Sequence, residues 1–227
     1  MHLIELTDYA VSFSGSEEGL KGYQFNLSRG DACTIETRYP LKANLFIKAL
    51  ATLVTPESGS YRFDEEILDF SDYRKLLPIK KRIGYIAPDS YMISNRTIRE
   101  NLLFRRYYYE NSLSIDLDEN TMNLCRLFHI DTKLHLRPGQ LRSIDLRYAI
   151  AIRELTKSSD LLLLDRPEDV ISVSRFKNFS EIIKKDIIPR QAVVFFSRDR
   201  YFIETLANRQ IQIENGRVAT RHMNPKE

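Results

Sequence analysis

The sequence predicts an α/β domain with a mostly parallel sheet that is covered by helices on both faces. Three apolar segments have the length of buried strands: ACTI from Ala32, LLLLD ending at Asp165, and AVVFF from Ala192. Amphipathic helical segments separate them, the longest within residues 139–155. Apolar strands that alternate with helices indicate parallel pairing, because each crossover places a helix over a face of the sheet.

Composition limits the classes of function. The 227 residues are 43% hydrophobic, which suits one domain with a core, and 34 basic against 31 acidic residues give a net charge of +3 that does not indicate nucleic-acid binding. No apolar run approaches the roughly 18 residues of a membrane span, and the N-terminus lacks a signal-peptide pattern. Cys33 and Cys125 are isolated, which predicts neither a disulfide nor a zinc site and favours a reducing cytosol.

The remaining elements follow from local patterns. Alternation predicts strands over residues 3–13 and 23–31, and a helix is expected over Leu45–Val54. A turn at 56–59 leads into another strand, followed by a strand within 80–87, a helix over 97–109 and a helical insert over 110–135. Two apolar runs flank Asn215-Gly216, which predicts a closing hairpin.

The order of motifs along nearly the whole chain resembles the nucleotide-binding domain of ABC transporters. The segments that carry the resemblance are GLKGYQFNLSRGD, TPESGSYRFD, RIGYIAPDSYMISNRTIRENLLF, LRPGQLRSIDLRYAIAIREL, DLLLLDRPEDVIS, VVFFSRD and IQIENGRV. The resemblance implies a P-loop NTPase-like ABC ATPase fold over residues 1–227, with a mixed sheet core. It also implies an N-terminal antiparallel β subdomain and a helical subdomain over about 88–157.

The segment CTIETRYPLKANLF aligns with the P-loop of this family but lacks its glycines. In an active P-loop, glycines let backbone N–H groups surround the phosphates. Side chains there are expected to disfavour that backbone and to fill the phosphate space, and Pro40 removes one donor. Glu36, Tyr39 and Leu41 occupy the three glycine positions, Lys42 matches the phosphate lysine, and Ala43 and Asn44 replace the Ser/Thr pair that would supply a Mg²⁺ ligand.

The second half of the aligned site departs from the family in the same way. Asp165 matches the Walker B aspartate, but Arg166 stands where an active relative has a glutamate, and a protonated arginine cannot act as a general base. Three more family residues are replaced: the Q-loop glutamine by Pro88, the switch histidine by Arg198 and the D-loop aspartate by Ser172. Gly15 lies near the position where the family has an adenine-stacking aromatic residue. In the signature motif, Arg137 and Pro138 replace the serine and the first glycine, and Gly139 and Gln140 are kept.

Two of these residues have alternative interpretations. Lys42 is either a remaining phosphate ligand or a surface or salt-bridging lysine. Asp165 either binds Mg²⁺, pairs with Arg166 or Arg198, or caps a turn.

A cluster of aromatic and basic residues predicts a protein interface, since Tyr and Arg are enriched in such contacts. In the family, the groove beside the Q-loop receives a coupling helix of the membrane subunit, so the resemblance implies permease contact here. The alternative is an aromatic helix face that packs on the helical insert. The cluster comprises Phe104, Arg105, Arg106, Tyr107, Tyr108 and Tyr109. The basic run Lys80–Arg82 is either solvated or in contact with lipid headgroups.

Three hypotheses follow for function. The first is a catalytically inactive ABC-type subunit that has no cofactor and lies in the cytoplasm at the inner face of the membrane. This subunit would dock on a transmembrane permease and form a homodimer, or a heterodimer with another ABC subunit. The second is a divergent ATPase that uses ATP and Mg²⁺ to drive transport, of lipid for example, alone or with an active paralogue. The third is a soluble regulatory module.

Overall fold

The computed structural model describes residues 2–13, 19–110 and 115–223, with the backbone alone for 108–110. Its strands in the described residues are β1 Ile4–Ser12, β2 Gly19–Leu27, β3 Ala32–Glu36, β4 Ser58–Phe63, β5 Glu66–Ile67, β6 Ile83–Ile86, β7 Leu161–Asp165, β8 Ala192–Phe196, β9 Arg209–Glu214 and β10 Arg217–His222. The α-helices are α1 Pro40–Leu50, α2 Leu77–Lys80, α3 Ile98–Glu110, α4 Glu119–Leu127, α5 Ser143–Leu155, α6 Pro167–Val170, α7 Val173–Ile182 and α8 Arg200–Leu206.

The strands form two sheets. An antiparallel sheet has the order β2-β1-β4-β5, and a six-stranded sheet has the order β10-β9-β3-β8-β7-β6. In the larger sheet β3 pairs in parallel with β8 and β9, and β7 in parallel with β6 and β8, while β10 is antiparallel to β9. The mixed sheet and the N-terminal antiparallel sheet confirm the predicted fold class.

The larger sheet divides the core into two layers. Leu161 and Leu163 of β7 face the layer that contains α1 and the antiparallel sheet, whereas Leu162 and Leu164 face the layer that contains α5, α7 and α8. Both faces of β7 are therefore buried, which explains the continuous apolar run of its sequence. Asp165 is the first carboxylate after this run and lies at the carboxyl edge of the sheet.

Local predictions were accurate at the hairpin and less so at α1. Asn215 and Gly216 have φ values of 49° and 76°, as expected for a tight turn between β9 and β10. The helix expected over Leu45–Val54 instead runs from Pro40 to Leu50. Proline is favoured in the first turn of a helix because its fixed φ suits that position and its missing N–H is not needed there. The helix therefore begins inside the segment that aligns with the P-loop.

Four charged residues join the two sheets. Arg82 donates to Asp160 (Nε to Oδ2, 2.6 Å) and to Asp64, while Arg29 lies 2.9 Å from Asp160 and 3.3 Å from Asp64. Asp64 follows β4 and Asp160 precedes β7, so this cluster links the antiparallel sheet to the core. Arg82 is thus a structural residue, which corrects its interpretation as a solvated or lipid-contacting charge. No helix of the described residues has the length and apolarity needed to cross a membrane.

Candidate functional site

Three backbone N–H groups bond within the chain where the loop after β3 enters α1. Tyr39 N donates to Thr37 Oγ1 at 3.1 Å, and Lys42 N and Ala43 N donate to Tyr39 O at 2.9 and 3.4 Å. Pro40 has no N–H to offer. A phosphate nest requires such N–H groups to converge on an anion, and here three of them bond within the chain.

Two side chains at the positions of the family glycines are exposed. Tyr39 is 51% exposed and Leu41 74% exposed. Lys42 Nζ lies 5.0 Å from the centre of the Tyr39 ring, a cation–π contact, and has no ion pair within the described residues. Whether Tyr39 and Leu41 fill the phosphate space stays a prediction.

Glu36, at the first glycine position, belongs to the neighbouring hairpin. Its carboxylate accepts a hydrogen bond from Gln210 and lies 3.6 Å from Arg221 Nη2. The negative charge of Glu36, which would repel a bound phosphate, is therefore partly offset by these contacts with β9 and β10.

Asp165 is paired with the side chain that replaces the metal-ligand hydroxyl. Asn44 Nδ2 donates to Asp165 Oδ2 at 2.6 Å, across 121 positions of sequence. Arg166 Nε lies 3.5 Å from the second oxygen, Oδ1, which makes no hydrogen bond among the described residues. The Asp165 side chain is only 2% exposed, so its charge is compensated inside the protein by an amide and a guanidinium.

Arg166 is held in an unusual backbone conformation. Its φ and ψ of 49° and 62° are left-handed, and its N–H donates to Phe196 O at 2.8 Å. This geometry directs the guanidinium to Asp165 and to Asp169, where Nη1 lies 3.1 Å from Oδ2. A left-handed arginine carries a steric cost that the surrounding contacts must offset.

Arg198 contacts different carboxylates. Its N–H donates to Glu168 Oε1 at 2.8 Å, and its guanidinium lies 3.7 Å from Glu168 and 3.6 Å from Asp169. Of the two partners that the sequence suggests for Asp165, the structure therefore places Arg166 beside it. Arg198 joins the network through Asp169, which both arginines share.

These residues do not fit a Mg²⁺ ion. Mg²⁺ requires oxygen ligands in a near-octahedral arrangement. Here one carboxylate oxygen of Asp165 accepts from the side-chain NH₂ of Asn44, and the other faces the guanidinium of Arg166. Ala43 has no side-chain oxygen that could replace the missing hydroxyl ligand. The guanidinium of Arg166 would also repel a divalent cation. We therefore assign no metal chemistry to this site.

The other aligned motifs lie around this site with local contacts of their own. Pro88 is half-buried after β6, and the next residue, Asp89, lies 3.5 Å from Lys48 of α1. In the signature-like segment, Arg137 N donates to Gln140 Oε1 at 2.9 Å around a short 3₁₀ turn. Pro138 is buried and Gly139 exposed. Ser172 accepts or donates a hydrogen bond with Tyr148 at 2.5 Å, and Gly15 lies outside the described residues.

A groove of about 740 Å³ opens on the helical side of the molecule. It is bordered by α2, by the middle of α3, by the start of α4 and by the end of α5. Phe104, Arg105 and Arg106 of the predicted interface cluster line it, whereas Tyr107 does not, and the side chains of Tyr108 and Tyr109 lie outside the described residues. Its apolar lining comes from Leu77, Ile93, Leu102, Leu103, Phe104 and Leu117.

A buried carboxylate lies at the base of this groove. Glu154 is 3% exposed, its Oε1 accepts from Arg153 Nε at 2.8 Å, and its Oε2 pairs with Lys157 and accepts from Tyr85 N at 3.1 Å. Burial opposes the charged form, but Lys157, Arg153 and the hydrogen bonds together lower the pKa of Glu154 below its ordinary value.

Sequence reasoning missed two parts of these sites. The role of Asn44 as the partner of Asp165 was not predicted, although its amide and its position beside the expected metal ligand were the available signal. Arg153, Glu154 and Lys157 of the groove carried no recognisable motif. The basic run Lys80–Arg82 gave no sign that Lys80 lines the same groove, because the two segments are distant in the sequence.

Comparison with known proteins supports the fold and the relationship. No protein-family model matches the sequence. The chain is 23% identical over 205 residues to the macrolide export ATP-binding/permease protein MacB of Campylobacter jejuni, which covers 90% of this chain and 32% of that protein. It therefore spans about a third of the length of that relative.

Two further relatives match most of the chain. A probable amino-acid ABC transporter ATP-binding protein of Haemophilus influenzae is 19% identical over 223 residues, covering 96% of this chain and 86% of that protein. The molybdenum import ATP-binding protein ModC of Escherichia coli K12 is 28% identical over 178 residues, covering 76% and 47%.

Solved structures agree with this relationship. The dimeric ABC transporter cassette MJ0796 superposes with a TM-score of 0.82 at 18% identity, covering 99% of each chain. The same cassette in a post-hydrolysis state with ADP and Pi gives a TM-score of 0.81 at 16% identity, covering 97% of this chain and 99% of that one. The chain therefore has the fold of ABC transporter ATP-binding cassettes and is similar in sequence to ATP-binding proteins of ABC transporters.

Proposed function

We propose that this chain is an ABC-type subunit of a membrane transport complex that does not hydrolyse ATP and that acts by docking on a transmembrane permease. It pairs with another cassette, either a second copy or a different ABC subunit. Its role in the complex is structural or regulatory. The relatives are named as ATP-binding proteins of transport systems, which supports the transport context.

The observation that carries the loss of catalysis is the arrangement around Asp165. A hydrolytic site needs a metal beside this carboxylate and a general base next to it. In this chain the carboxylate bonds to Asn44 and lies beside Arg166, and the loop amides bond to Tyr39 O and Thr37 Oγ1. The groups that would act on phosphate are engaged with one another.

The observation that supports docking is the groove between α2, α3 and α5. It exposes apolar surface from Leu77, Ile93 and Phe104, at 44%, 38% and 47%. Apolar groups that converge in a concave site favour binding of a partner side chain. Phe104 and Arg105 are residue types enriched at the centres of interfaces.

Hydrolysis is tested on the purified chain with Mg-ATP. We expect no phosphate release above background and no ATP-dependent shift in melting temperature. A turnover within the ~1–10³ s⁻¹ usual for enzymes, abolished by Lys42→Ala, would instead establish a divergent ATPase. An ATP-dependent shift without turnover would indicate a nucleotide-binding regulatory subunit.

Docking is tested by capture of the tagged chain from detergent-solubilised membranes of its native host. The wild type is expected to retain a polytopic membrane protein that Phe104→Ala/Arg105→Ala loses. Tyr201→Ala/Lys177→Ala is the matched control, because Tyr201 is 48% exposed on α8 and Lys177 is exposed on α7, both outside the groove lining. Equal capture by both variants would place the interface elsewhere.

A further inference from the structure

The charges around the groove are unequal. Of the described residues that line it, six are basic and two are acidic. Both acidic residues already have partners: Glu154 pairs with Arg153 and Lys157, and Asp118 caps α4 by accepting from Thr121 N at 2.8 Å. The two cations at Glu154 also exceed its single negative charge.

Two of the basic residues have no ion-pair partner within the described chain. Lys80 ends α2 on one side of the groove, and Arg105 lies on α3 on the other. Both are half-buried and line the groove together with Leu77 and Phe104. A cation without a counter-ion is free to pair with an arriving carboxylate, and the attraction is stronger at a partly buried site than in bulk water.

We propose that the groove selects an acidic amphipathic helix, whose apolar face enters between Leu77 and Phe104 and whose flanking Asp or Glu side chains pair with Lys80 and Arg105. This inference rests on the proposed docking role and specifies the chemistry of the partner. Amphipathic helices bind grooves through apolar residues at i, i+3, i+4 and i+7. Charges beside that apolar face determine which helix is accepted and how fast it associates.

Two designed 18-residue helical peptides test the charge selection. They share one Leu/Phe face and differ only in flanking residues, which are Glu in the first and Gln in the second. Fluorescence anisotropy is measured at low and at high salt. We expect the Glu peptide to bind about 5- to 10-fold tighter at low salt, with most of the difference lost at high salt, as expected for two partly exposed ion pairs.

Matched variants locate the effect in the groove. Lys80→Gln/Arg105→Gln is expected to bind both peptides equally and to melt like the wild type. Lys21→Gln/Lys177→Gln loses the same net charge at exposed positions of β2 and α7, and is expected to keep the preference. If this control also loses the preference for the Glu peptide, the preference comes from long-range attraction to the net charge of the protein, and the proposal is overturned.

The outcomes separate this inference from the proposed function. Equal binding of the Glu and Gln peptides by the wild type overturns acidic selection and leaves permease docking intact. Absence of binding by either peptide overturns a helix as the occupant. A lipid role would be indicated if the wild type binds phosphatidylglycerol vesicles, Lys80→Gln/Arg105→Gln abolishes that binding, and neither peptide is preferred. That result would overturn the proposal. ATP hydrolysis by the chain would refute the proposed function without changing any of these results.

Discussion

The carboxyl edge of the sheet and the helical groove use charge in opposite ways. At the sheet edge, Arg166 and Arg198 contact Asp165, Glu168 and Asp169 of the same chain. At the groove, Lys80 and Arg105 have no such partners in the described residues. A buried charge makes the fold depend on its internal partners, because removing one partner leaves the charge uncompensated, whereas charged groups left open favour association. The two regions therefore differ in how far their cations are paired within the described chain.

The network at the sheet edge predicts the largest loss of stability. Arg166→Met would leave the buried carboxylate of Asp165 with Asn44 as its remaining partner. Because an uncompensated buried charge is costly, we expect a loss of about 2–3 kcal/mol in the free energy of unfolding, measured by urea denaturation at pH 7.

Arg198→Met is the matched control for this prediction. The Arg198 side chain is 67% exposed and approaches its carboxylates only to 3.6 and 3.7 Å, so its loss should cost no more than about 0.5 kcal/mol. Asp165→Asn added to Arg166→Met should recover part of the loss, because it removes the unpaired charge. Equal effects of the two arginine variants would mean that Asp165 does not depend on Arg166.

The sequence predicted the parts of the molecule that depend on local pattern. The continuous apolar runs of β7 and β8 and the Asn215-Gly216 turn specify their own structures, because burial on both faces and a left-handed turn each demand particular residue types. The order of motifs predicted the fold, whereas the loss of the family residues at the aligned positions stays a prediction.

The contacts that give those positions their roles could not be predicted. The bond between Asn44 and Asp165 depends on how α1 lies over the sheet edge, and no local pattern links residues 121 positions apart. The groove combines α2, α3, α4 and the end of α5, so its excess of cations appears only in the tertiary structure. The net charge of +3 for the whole chain gave no sign of this local excess of basic residues at the groove.

A second prediction changes stability and recognition in opposite directions. Glu154→Gln removes the buried carboxylate beneath the groove and leaves Arg153 and Lys157 without their counter-ion. We expect a loss of about 2 kcal/mol in the free energy of unfolding at pH 7. The freed cations should also increase affinity for the Glu peptide by about two- to three-fold.

The pH dependence of this variant follows from the lowered pKa of Glu154. A carboxyl group whose pKa is lower in the folded than in the unfolded state stabilises the fold at pH values above its ordinary pKa of 4.5. This contribution is lost as the pH falls through the pKa of the folded state. The difference in stability between wild type and Glu154→Gln should therefore be constant near neutral pH and shrink below about pH 4.5. Glu181→Gln should show only a much smaller change of the same sign, because Glu181 pairs with Lys185 at the surface, where solvent screens the interaction. A difference that stays constant down to pH 3 would contradict the assignment.

The smallest expected effect is at Lys42, which tests whether the sheet edge keeps any function in phosphate binding. Its ammonium contacts the exposed ring of Tyr39 and no carboxylate of the described residues, and such a contact contributes about 0.5 kcal/mol. Lys42→Met should therefore change the free energy of unfolding by no more than about 0.5 kcal/mol and leave melting with and without Mg-ATP unchanged. Lys48→Met, on the same helix, removes a 3.5 Å pair with Asp89 and serves as the comparison for an ordinary ion-pair loss. An ATP-dependent rise in melting temperature that Lys42→Met abolishes would show that the loop still binds nucleotide. The sheet edge and the groove would then both be binding sites, and the contrast between them would no longer hold.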